Sequence, residues 1–343
     1  MKKYYISSVK GNTAISRYSH DFYELVLRDK GYIFMDSSKS FTEILSAVAS
    51  RDQVHIEIGS AQKKETELLF VMLKAKYKYV SVTLHDPPLI FPFFEFRNPI
   101  LNQLSRLYKR YINHSGSVDK YIGRIKSIYV VSRKSIDLVK RKYQVENVFY
   151  LPYIINPHEI EKNAGINNNF ICFNPNGSKK EIAYCLKLHR RLIAHDPDVN
   201  LYVTSISRAG DRTFFPPLDE KKENNIHYAE SQDEDLFSEA GAKATFVFMP
   251  ASQDADYRRL AGSNVLEGLK KGKIVFTNNR SVTPEYIQNG KNGFYLSGSL
   301  REDTETIRKI LSDPSLLARI RKETYSYLIE HHSADEVSKQ FKD

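Results

Sequence analysis

The sequence predicts an α/β protein with two doubly wound domains, each built on a parallel sheet. Short β-branched and apolar runs alternate with amphipathic stretches of helical length, which is the pattern of successive βαβ units. A chain of 343 residues is long for one hydrophobic core and suits two domains of ordinary size. A proline-containing stretch at 152–157 separates two such series. We therefore expect domains over residues 1–157 and 158–325, with a C-terminal helix over about 326–343.

The first domain is predicted to contain six strands and four helices. The strands are expected at residues 3–9, 32–36, 54–58, 78–84, 127–132 and 148–151, and the helices at 14–30, 63–76, 101–111 and 135–143. The strand over 78–84 is expected to stop at His85-Asp86-Pro87-Pro88, because proline has no N–H to donate to a sheet.

The second domain continues the same alternation. Strands are expected at 170–173, 200–204, 245–249 and 273–277, helices at 181–195 and 264–271, and two further helices toward the C-terminus. The polar stretch 207–225 is expected to be a surface loop. Gly290 and Gly293 are expected to be turn residues with positive φ. His331 and His332 are expected to form a surface pair.

Composition narrows the class of protein. Hydrophobic residues make up 41% of the chain and aromatic residues 12%, which are values of globular proteins. No apolar run reaches the ~20 residues that span a bilayer, and the polar N-terminus does not resemble a signal peptide. Cys172 and Cys185 fit no metal or redox spacing, and so few cysteines favour a reducing compartment. We expect a cytoplasmic protein, soluble or peripheral on the inner face of the membrane.

Positive charge is concentrated in one segment. Between Arg97 and Glu146, twelve Lys or Arg stand against three acids, so this segment carries +9 of the chain's net charge of +10. A dense aromatic stretch, 87–96, comes just before it. Aromatic and basic residues together, here Phe91 to Lys142, are typical of segments that bind an anionic membrane surface. A solvated basic helix beside a buried aromatic loop is the alternative. Nucleic acid is disfavoured as a partner because no nucleic-acid-binding motif accompanies the charge.

A motif near the C-terminus carries the main functional signal. Residues 262–277 read GSNVLEGLKKGKIVFT, a helix and then a buried strand, and 283–296 read TPEYIQNGKNGFYL, a Pro-Glu turn and a Gly-flanked loop. A helix N-terminus offers unpaired N–H groups that suit a diphosphate, here those of Gly262, Ser263 and Asn264. Glu267, one turn further in, can accept hydrogen bonds from a ribose diol.

The motif resembles the donor half of the GT-B glycosyltransferases, specifically retaining family 4. Members typically show Glu, seven residues, Glu, then Ala-x-x-x-Gly-x-Pro-Val-Val and Pro-Glu-x-Ile-x-x-Gly-x-Asn-Gly. The resemblance implies a GT-B fold, in which two Rossmann-like domains face a central cleft and the last helix packs back on the first domain. It also implies sugar transfer from a nucleotide diphosphate sugar to a saccharide or polyprenyl-linked acceptor in cell-surface polysaccharide synthesis. No metal and no other cofactor is expected.

Several further residues match the family's pattern. The resemblance places Gly11 near the donor phosphate, His85 and Asp86 as catalytic residues on the acceptor side of the cleft, and Glu285, at the family's Pro-Glu, as a ligand of the donor. Lys180, with Lys179 beside it, matches the lysine that neutralises the leaving diphosphate. The structural alternatives are a turn glycine, a structural histidine, surface lysines and a carboxylate favoured by the helix dipole.

Two positions depart from the family's pattern. Asn174 stands where the family has Arg, and Arg259 stands at the first Glu of the Glu-x7-Glu pair. Either the alignment slips, so that Asp254 or Asp256 takes this place, or Arg259 has another role. We hypothesise that Arg258 or Arg259 supplies the phosphate charge that is missing at Asn174. The same departures leave open a catalytically impaired GT-B module that binds sugars or partner proteins.

Overall fold

The computed structural model forms two compact units. It describes residues 1–8, 14–59, 62–85, 121–161, 165–173, 179–205, 225–230, 243–249, 262–280 and 283–342. The first unit combines residues 1–154 with 334–343, and the second comprises residues 155–333. The chain thus passes into the second unit at residue 155 and returns to the first at residue 334, later than the return at about residue 326 that the sequence predicts.

The first unit is built on a six-stranded parallel sheet. Its strands are β1 (Lys3–Ser7), β2 (Tyr32–Asp36), β3 (Gln53–Ile58), β4 (Tyr79–Leu84), β5 (Ser127–Val130) and β6 (Val148–Tyr150). They lie in the order β2-β1-β3-β4-β5-β6, and every neighbouring pair is parallel. The first five strands have the flavodoxin-like order of doubly wound sheets, with a switch point between β1 and β3.

Helices cover this sheet. They are α1 (Ala14–Phe22), which continues as a π-helix over Tyr23–Leu27, α2 (Phe41–Ala47), α3 (Lys63–Lys74) and α4 (Lys134–Tyr143). Helix α2 was not predicted, although it begins with a capping box. The amide of Glu43 donates to the Ser40 hydroxyl at 3.2 Å, and the amide of Ser40 donates to the Glu43 carboxylate at 2.8 Å.

The second unit has its own six-stranded parallel sheet. Its strands are β7 (Phe170–Phe173), β8 (Leu201–Ser205), β9 (Ile226–Glu230), β10 (Phe246–Phe248), β11 (Ile274–Thr277) and β12 (Gly293–Tyr295). Their order is β12-β11-β10-β7-β8-β9, again with parallel neighbours only. This is the Rossmann order, which changes direction between β7 and β10. Strands β9 and β12 were not predicted.

The helices of the second unit follow its strands. They are α5 (Lys179–Ile193), α6 (Gly262–Lys270), α7 (Thr283–Tyr286), α8 (Leu300–Leu311) and α9 (Pro314–His332), and α10 (Ala334–Gln340) then belongs to the first unit. Three helices follow residue 299, not the two expected. The predicted helix over 101–111 lies outside the described residues, as does most of the predicted loop over 207–225. No helix in the described ranges is long and apolar enough to cross a membrane.

The chain's last residues complete the core of the first unit. Phe341 is 3% exposed, and its ring centroid lies 5.0 Å from that of His55, 5.1 Å from Tyr129 and 5.3 Å from Phe22. The Tyr129 hydroxyl donates to the carbonyl oxygen of Lys342 at 2.7 Å and accepts from its amide at 3.0 Å. An aromatic ring from residue 341 therefore fills a cavity that the first 154 residues leave open.

Two local predictions about the second unit need correction. Gly290 has the expected positive φ of 78°, but Gly293 lies in β12, where a Cβ would stand 2.9 Å from the carbonyl oxygen of Val275. The prediction of a turn was wrong at Gly293, because glycine there allows β12 to approach β11. His331 is exposed, whereas His332 is 1% exposed, so the prediction of a surface pair was wrong for His332.

Candidate functional site

The second sheet changes direction between β7 and β10. Strands β8 and β9 lie on one side of β7, whereas β10, β11 and β12 lie on the other. The connections that leave the carboxyl ends of β7 and β10 therefore diverge, and open α/β sheets bind their ligands at such a switch point. Helix α5 is the first described element after β7, and α6 is the first after β10. Lys179 and Lys180 thus belong to one of the two connections that flank the switch point, and the predicted donor residues at 262–267 belong to the other, whereas Glu285 follows β11.

The start of helix α6 requires a glycine for packing. A Cβ atom on Gly262 would lie 2.3 Å from the ring of Tyr286. Tyr286 is 1% exposed and stacks on His332, with ring centroids 5.9 Å apart, so the ring cannot easily move aside. The next two residues, Ser263 and Asn264, are half-buried in the first turn of the helix. The start of α6, which carries the three amides that the sequence assigns to a diphosphate, is therefore packed closely against Tyr286 at Gly262.

Glu267 carries an ion pair on the same helix. Its carboxylate lies 3.0 Å from the ammonium of Lys270, which also contacts the Glu159 carboxylate at 2.8 Å. Burial alone would lower the pKa of the Lys270 ammonium, but the two carboxylates outweigh burial and the pKa is raised. The Glu267 side chain is 23% exposed. Its carboxylate is thus held at a defined place more than one helical turn beyond Gly262.

Glu285 lies in the short helix α7, directly before Tyr286. Its carbonyl oxygen accepts a hydrogen bond from the Tyr327 hydroxyl at 2.8 Å, and its side chain is half-buried. The start of helix α7 is also stabilised, because the Thr283 hydroxyl donates a hydrogen bond to the carbonyl oxygen of Asn278 at 2.6 Å. The backbone that carries Glu285 is therefore anchored to α9, while its neighbour Tyr286 contacts the start of α6.

The remaining predicted donor residues are described only in part. Lys179 and Lys180 are the first two residues of helix α5. Gly11, Asp86, Asn174, Arg258 and Arg259 lie outside the described residues.

His85 follows the carboxyl end of β4 in the first unit and is buried beside β3. Its Nε2 lies 2.7 Å from an oxygen of Glu57, on β3, and its amide donates to the carbonyl oxygen of Ile58 at 2.9 Å. His85 is 6% exposed and Glu57 is fully buried. Sequence analysis selected His85 but missed Glu57, its partner.

A second histidine shares the Glu57 carboxylate. His55 Nε2 lies 3.3 Å from the other carboxylate oxygen, and the His55 ring contacts the hydroxyls of Ser81 at 2.8 Å and Thr83 at 2.9 Å. Burial alone would raise the pKa of the Glu57 carboxyl, but its contacts with His55 and His85 outweigh burial and lower the pKa to about 2. Glu57 is therefore a carboxylate even though it has no exposure to water.

Tyrosine rings surround this histidine–glutamate cluster. The Tyr18 ring meets His85 edge-on with centroids 4.8 Å apart, and Tyr5 stacks on His55 at 5.9 Å. Burial first, and the charge of Glu57 second, raise the pKa of both phenols well above the usual value. The signal in the sequence was the face formed by Gln53, His55 and Glu57, three polar residues that alternate with apolar residues along β3.

Within the described ranges, no three His, Cys, Asp or Glu side chains are placed to hold a metal ion together.

Sequence comparison finds no relatives of known function, whereas structural comparison does find a shared fold. No protein-family model matches the chain, and no curated protein matches it. Anabaena HepE in complex with UDP-glucose is 12% identical over 99% of this chain and 98% of its own, with a TM-score of 0.62. A glycosyltransferase from Rickettsia africae is 15% identical over 98% of this chain and 96% of its own, with a TM-score of 0.60.

A third similar structure belongs to a longer protein. S. aureus TarM, a mutant in complex with fondaparinux, α-GlcNAc-glycerol and UDP, is 12% identical with a TM-score of 0.58. The match covers 88% of this chain but 57% of the TarM chain, so this chain spans little more than half of that protein. Together with the two parallel six-stranded sheets, these likenesses confirm the predicted fold class: the chain is α/β, with the two Rossmann-like units of the GT-B glycosyltransferases.

Proposed function

We propose that this protein is a glycosyltransferase that moves a sugar from a UDP- or GDP-sugar to a saccharide or lipid-linked acceptor. The position of the donor motif carries the proposal. The start of α6, with Glu267 beyond it, and the lysines that open α5 follow the two strands that flank the switch point. Helix N-termini and lysines suit a leaving diphosphate. The structural likeness to HepE and TarM, which were crystallised with UDP-glucose and UDP, supports a nucleotide-sugar donor.

Thermal unfolding with added nucleotides tests the donor site. We expect one of UDP, GDP, ADP and CMP, or one of their sugar conjugates, to raise the unfolding temperature selectively. A ligand at about one hundred times its Kd stabilises the folded protein by ~2.7 kcal/mol. The shift should be lost in Glu267→Gln and kept in Glu323→Gln, which removes an exposed charge from the same unit. No shift with any nucleotide would contradict the proposal.

We further propose that cations replace the arginine that is missing at Asn174. Lys180, with Lys179, opens α5, and Arg258 and Arg259 precede α6 in the sequence. Alanine at Lys180, Arg258 or Arg259 should raise the KM for the donor, because each loses charge near the diphosphate. Lys187→Ala, on an exposed face of the same helix α5, is the matched control and should leave donor kinetics unchanged. An unchanged KM for the donor in both arginine variants would contradict the hypothesis that Arg258 or Arg259 supplies the charge that is missing at Asn174.

The proposed mechanism is front-face displacement with retention at the anomeric carbon and without a metal. Its support is the family resemblance of the donor motif, together with cations and helix amides that can neutralise the diphosphate without a divalent ion. NMR of the product should show the same anomeric configuration as the donor sugar. Chelation with EDTA should leave the rate unchanged. A product with inverted anomeric configuration would contradict the retaining mechanism. Loss of activity in EDTA would contradict a reaction without a metal.

We place the acceptor at a membrane surface, as a polyprenyl-linked or other lipid-linked saccharide of cell-surface polysaccharide assembly on the cytoplasmic side. The +9 segment over 97–146 supports this, and its described part includes the exposed cations Lys134, Arg141 and Lys142 of helix α4. The protein should co-sediment with vesicles that contain anionic lipid and be released by salt, and neutral vesicles are the control. Oligonucleotides that outcompete anionic vesicles would instead favour a nucleic-acid partner.

A catalytically impaired GT-B module is the second candidate. The observation that favours it is Arg259 at the position where the family has its first Glu. Such a module would bind a nucleotide sugar or a partner protein without turnover. It would be favoured if a nucleotide stabilises the protein but neither hydrolysis nor transfer is detected with any donor tried.

A further inference from the structure

The histidine–glutamate cluster, His85, Glu57 and His55, constrains the hydrogen on the His85 ring. Glu57 is a carboxylate, which can only accept hydrogen bonds. Because His85 Nε2 lies 2.7 Å from that carboxylate, Nε2 must carry the hydrogen and donate it. A neutral His85 then has its lone pair on Nδ1.

The Nδ1 atom of His85 is buried and has no hydrogen-bond partner among the described residues. The rings next to it do not provide a partner in this part of the chain. Tyr18 meets the imidazole edge-on at 4.8 Å between centroids, and the Tyr153 ring lies 6.0 Å away. A buried nitrogen acceptor without a donor costs free energy, on the order of 1 to 3 kcal/mol, unless a ligand satisfies it.

A second histidine, His55, also lies beside Glu57. His55 contacts its second oxygen at 3.3 Å, and the His55 ring is fixed by the hydroxyls of Ser81 and Thr83. The Ser81 hydroxyl lies 3.3 Å from the carbonyl oxygen of Val54, to which it donates, so it accepts from His55 Nδ1–H. With its hydrogen on Nδ1, a neutral His55 presents a lone pair at Nε2 and does not donate to Glu57, whose Oε1 has no hydrogen-bond partner among the described residues. The hydrogen bond from His85 is therefore the contact that orients the carboxylate within this cluster.

We propose that Glu57 is a positioning residue: it fixes the Nε2–H tautomer of His85, so that Nδ1 accepts a hydrogen bond from a hydroxyl group of a saccharide ligand. A neutral hydroxyl donor fits an acceptor nitrogen, whereas a phosphate oxygen does not. The saccharide part of this inference rests on the proposed glycosyltransferase function. The tautomer part depends on the cluster alone.

Nitrogen-15 NMR of the full-length protein labelled at histidine tests the tautomer without any need for activity. Two-bond ¹⁵N–¹H correlations distinguish Nε2–H from Nδ1–H, and the His85→Asn variant assigns the signal. We expect wild-type His85 to be in the Nε2–H form. Glu57→Asp, which keeps a carboxylate, should retain that form, whereas Glu57→Leu should yield a mixture or the opposite tautomer. Thr83→Val is the matched control, since it alters the cluster without touching His85. Once His85→Asn has assigned the signal, a wild-type Nδ1–H form would overturn the proposal whether or not the Glu57 variants fold.

Kinetics and ligand titration test the saccharide part. In transfer assays, Glu57→Leu should lower kcat by roughly 10- to 100-fold, the scale seen when a carboxylate that orients a histidine is lost. KM for the donor should change little, and Glu57→Asp should recover part of kcat. Addition of the nucleotide sugar that stabilises the protein in the thermal-unfolding experiment should shift the His85 Nδ1 resonance. An Nε2–H tautomer without such a shift would leave the positioning by Glu57 intact and overturn the assigned ligand. Absence of transfer with every donor would count against the proposed function, not against the tautomer.

Discussion

The ring of Tyr286 occupies the space that a side chain at Gly262 would need. A Cβ there would lie 2.3 Å from the ring atoms, and the ring itself is buried and stacks on His332. The contact joins the start of α6 to α7. Since the amides of α6 and the carboxylate of Glu285 are both proposed to meet the donor, one packing contact sets their relative position.

Alanine at Gly262 should destabilise the second unit. Overpacking of this kind typically costs about 1 to 3 kcal/mol. Gly268→Ala is the matched control on the same helix, because its Cβ would come too close only to the flexible end of Met249, at 2.9 Å, and would meet Val275 and Val247 at 3.4 and 3.6 Å. Alanine is also the better helix former, by about 1 kcal/mol. Urea unfolding should therefore show a clear loss for Gly262→Ala and little change or a gain for Gly268→Ala. Equal stability of the two variants would show that the ring of Tyr286 yields.

Loss of the Asp303 carboxylate should weaken the link between α5 and α8. Asp303 is 3% exposed and accepts from the amides of Ser297 at 2.8 Å and Gly298 at 3.1 Å, and also from the Tyr184 hydroxyl. Asp303→Ala leaves these donors without their acceptor and should cost at least about 2 kcal/mol. Tyr184→Phe removes one of the three bonds and should cost about 1 kcal/mol. If both variants unfold at the same denaturant concentration, the amide bonds to Asp303 contribute nothing.

Stability should fall in acid because of Glu57. Its pKa is lowered from 4.5 to about 2 in the folded protein, so the carboxylate favours folding above pH 4.5. That contribution declines as the pH falls from 4.5 toward 2. Denaturant titrations across this range should show a shallower loss in Glu57→Gln than in the wild type. Parallel curves for the two proteins would mean that other groups dominate the acid transition.

Replacement of Gln144 by glycine should stabilise the first unit. Gln144 ends helix α4 in the left-handed region, with φ of 53°, and its side chain is exposed. A residue with a Cβ is destabilised by roughly 1 to 2 kcal/mol in the left-handed region. Glycine avoids this strain, but its greater conformational freedom in the unfolded chain offsets part of the gain. We expect Gln144→Gly to gain about 0.5 to 1 kcal/mol and Gln144→Ala to gain nothing. Thermal unfolding of the two variants separates the backbone effect from the loss of the side chain.

The predictable part of the fold was the part with strong local patterns. Strands such as β3 and β4 are rich in β-branched residues, and all ten predicted strands have counterparts within a few residues. Strand β12 was not predicted because it has three residues and begins with a glycine, which allows the strand to come close to the carbonyl oxygen of Val275. Helix α2 escaped although Ser40 and Glu43 mark its start, because its seven residues show little periodicity.

The candidate site was predictable only where it resembles a known motif. Gly262 and Glu285 could be selected from the sequence, but the ring of Tyr286 between them could not. Glu57 was missed because its contact with His85 joins residues 28 positions apart and depends on the pairing of β3 with β4. A single sequence contains the two residues but not the register that brings them together.

The placement of Phe341 has a consequence for how the protein is made. The first unit lacks this ring until the second unit has been synthesised, because the 179 residues from 155 to 333 come in between. At cellular rates of ~5 to 20 residues per second, that delay is on the order of 10 to 35 s. During this time the nascent first unit has an unfilled aromatic cavity. In a circular permutant, residue 343 would be joined to residue 1 and the chain would be opened in a surface loop of the second unit. Phe341 would then be synthesised shortly before β1, and the first unit could close while the remaining part of the second unit is still being translated.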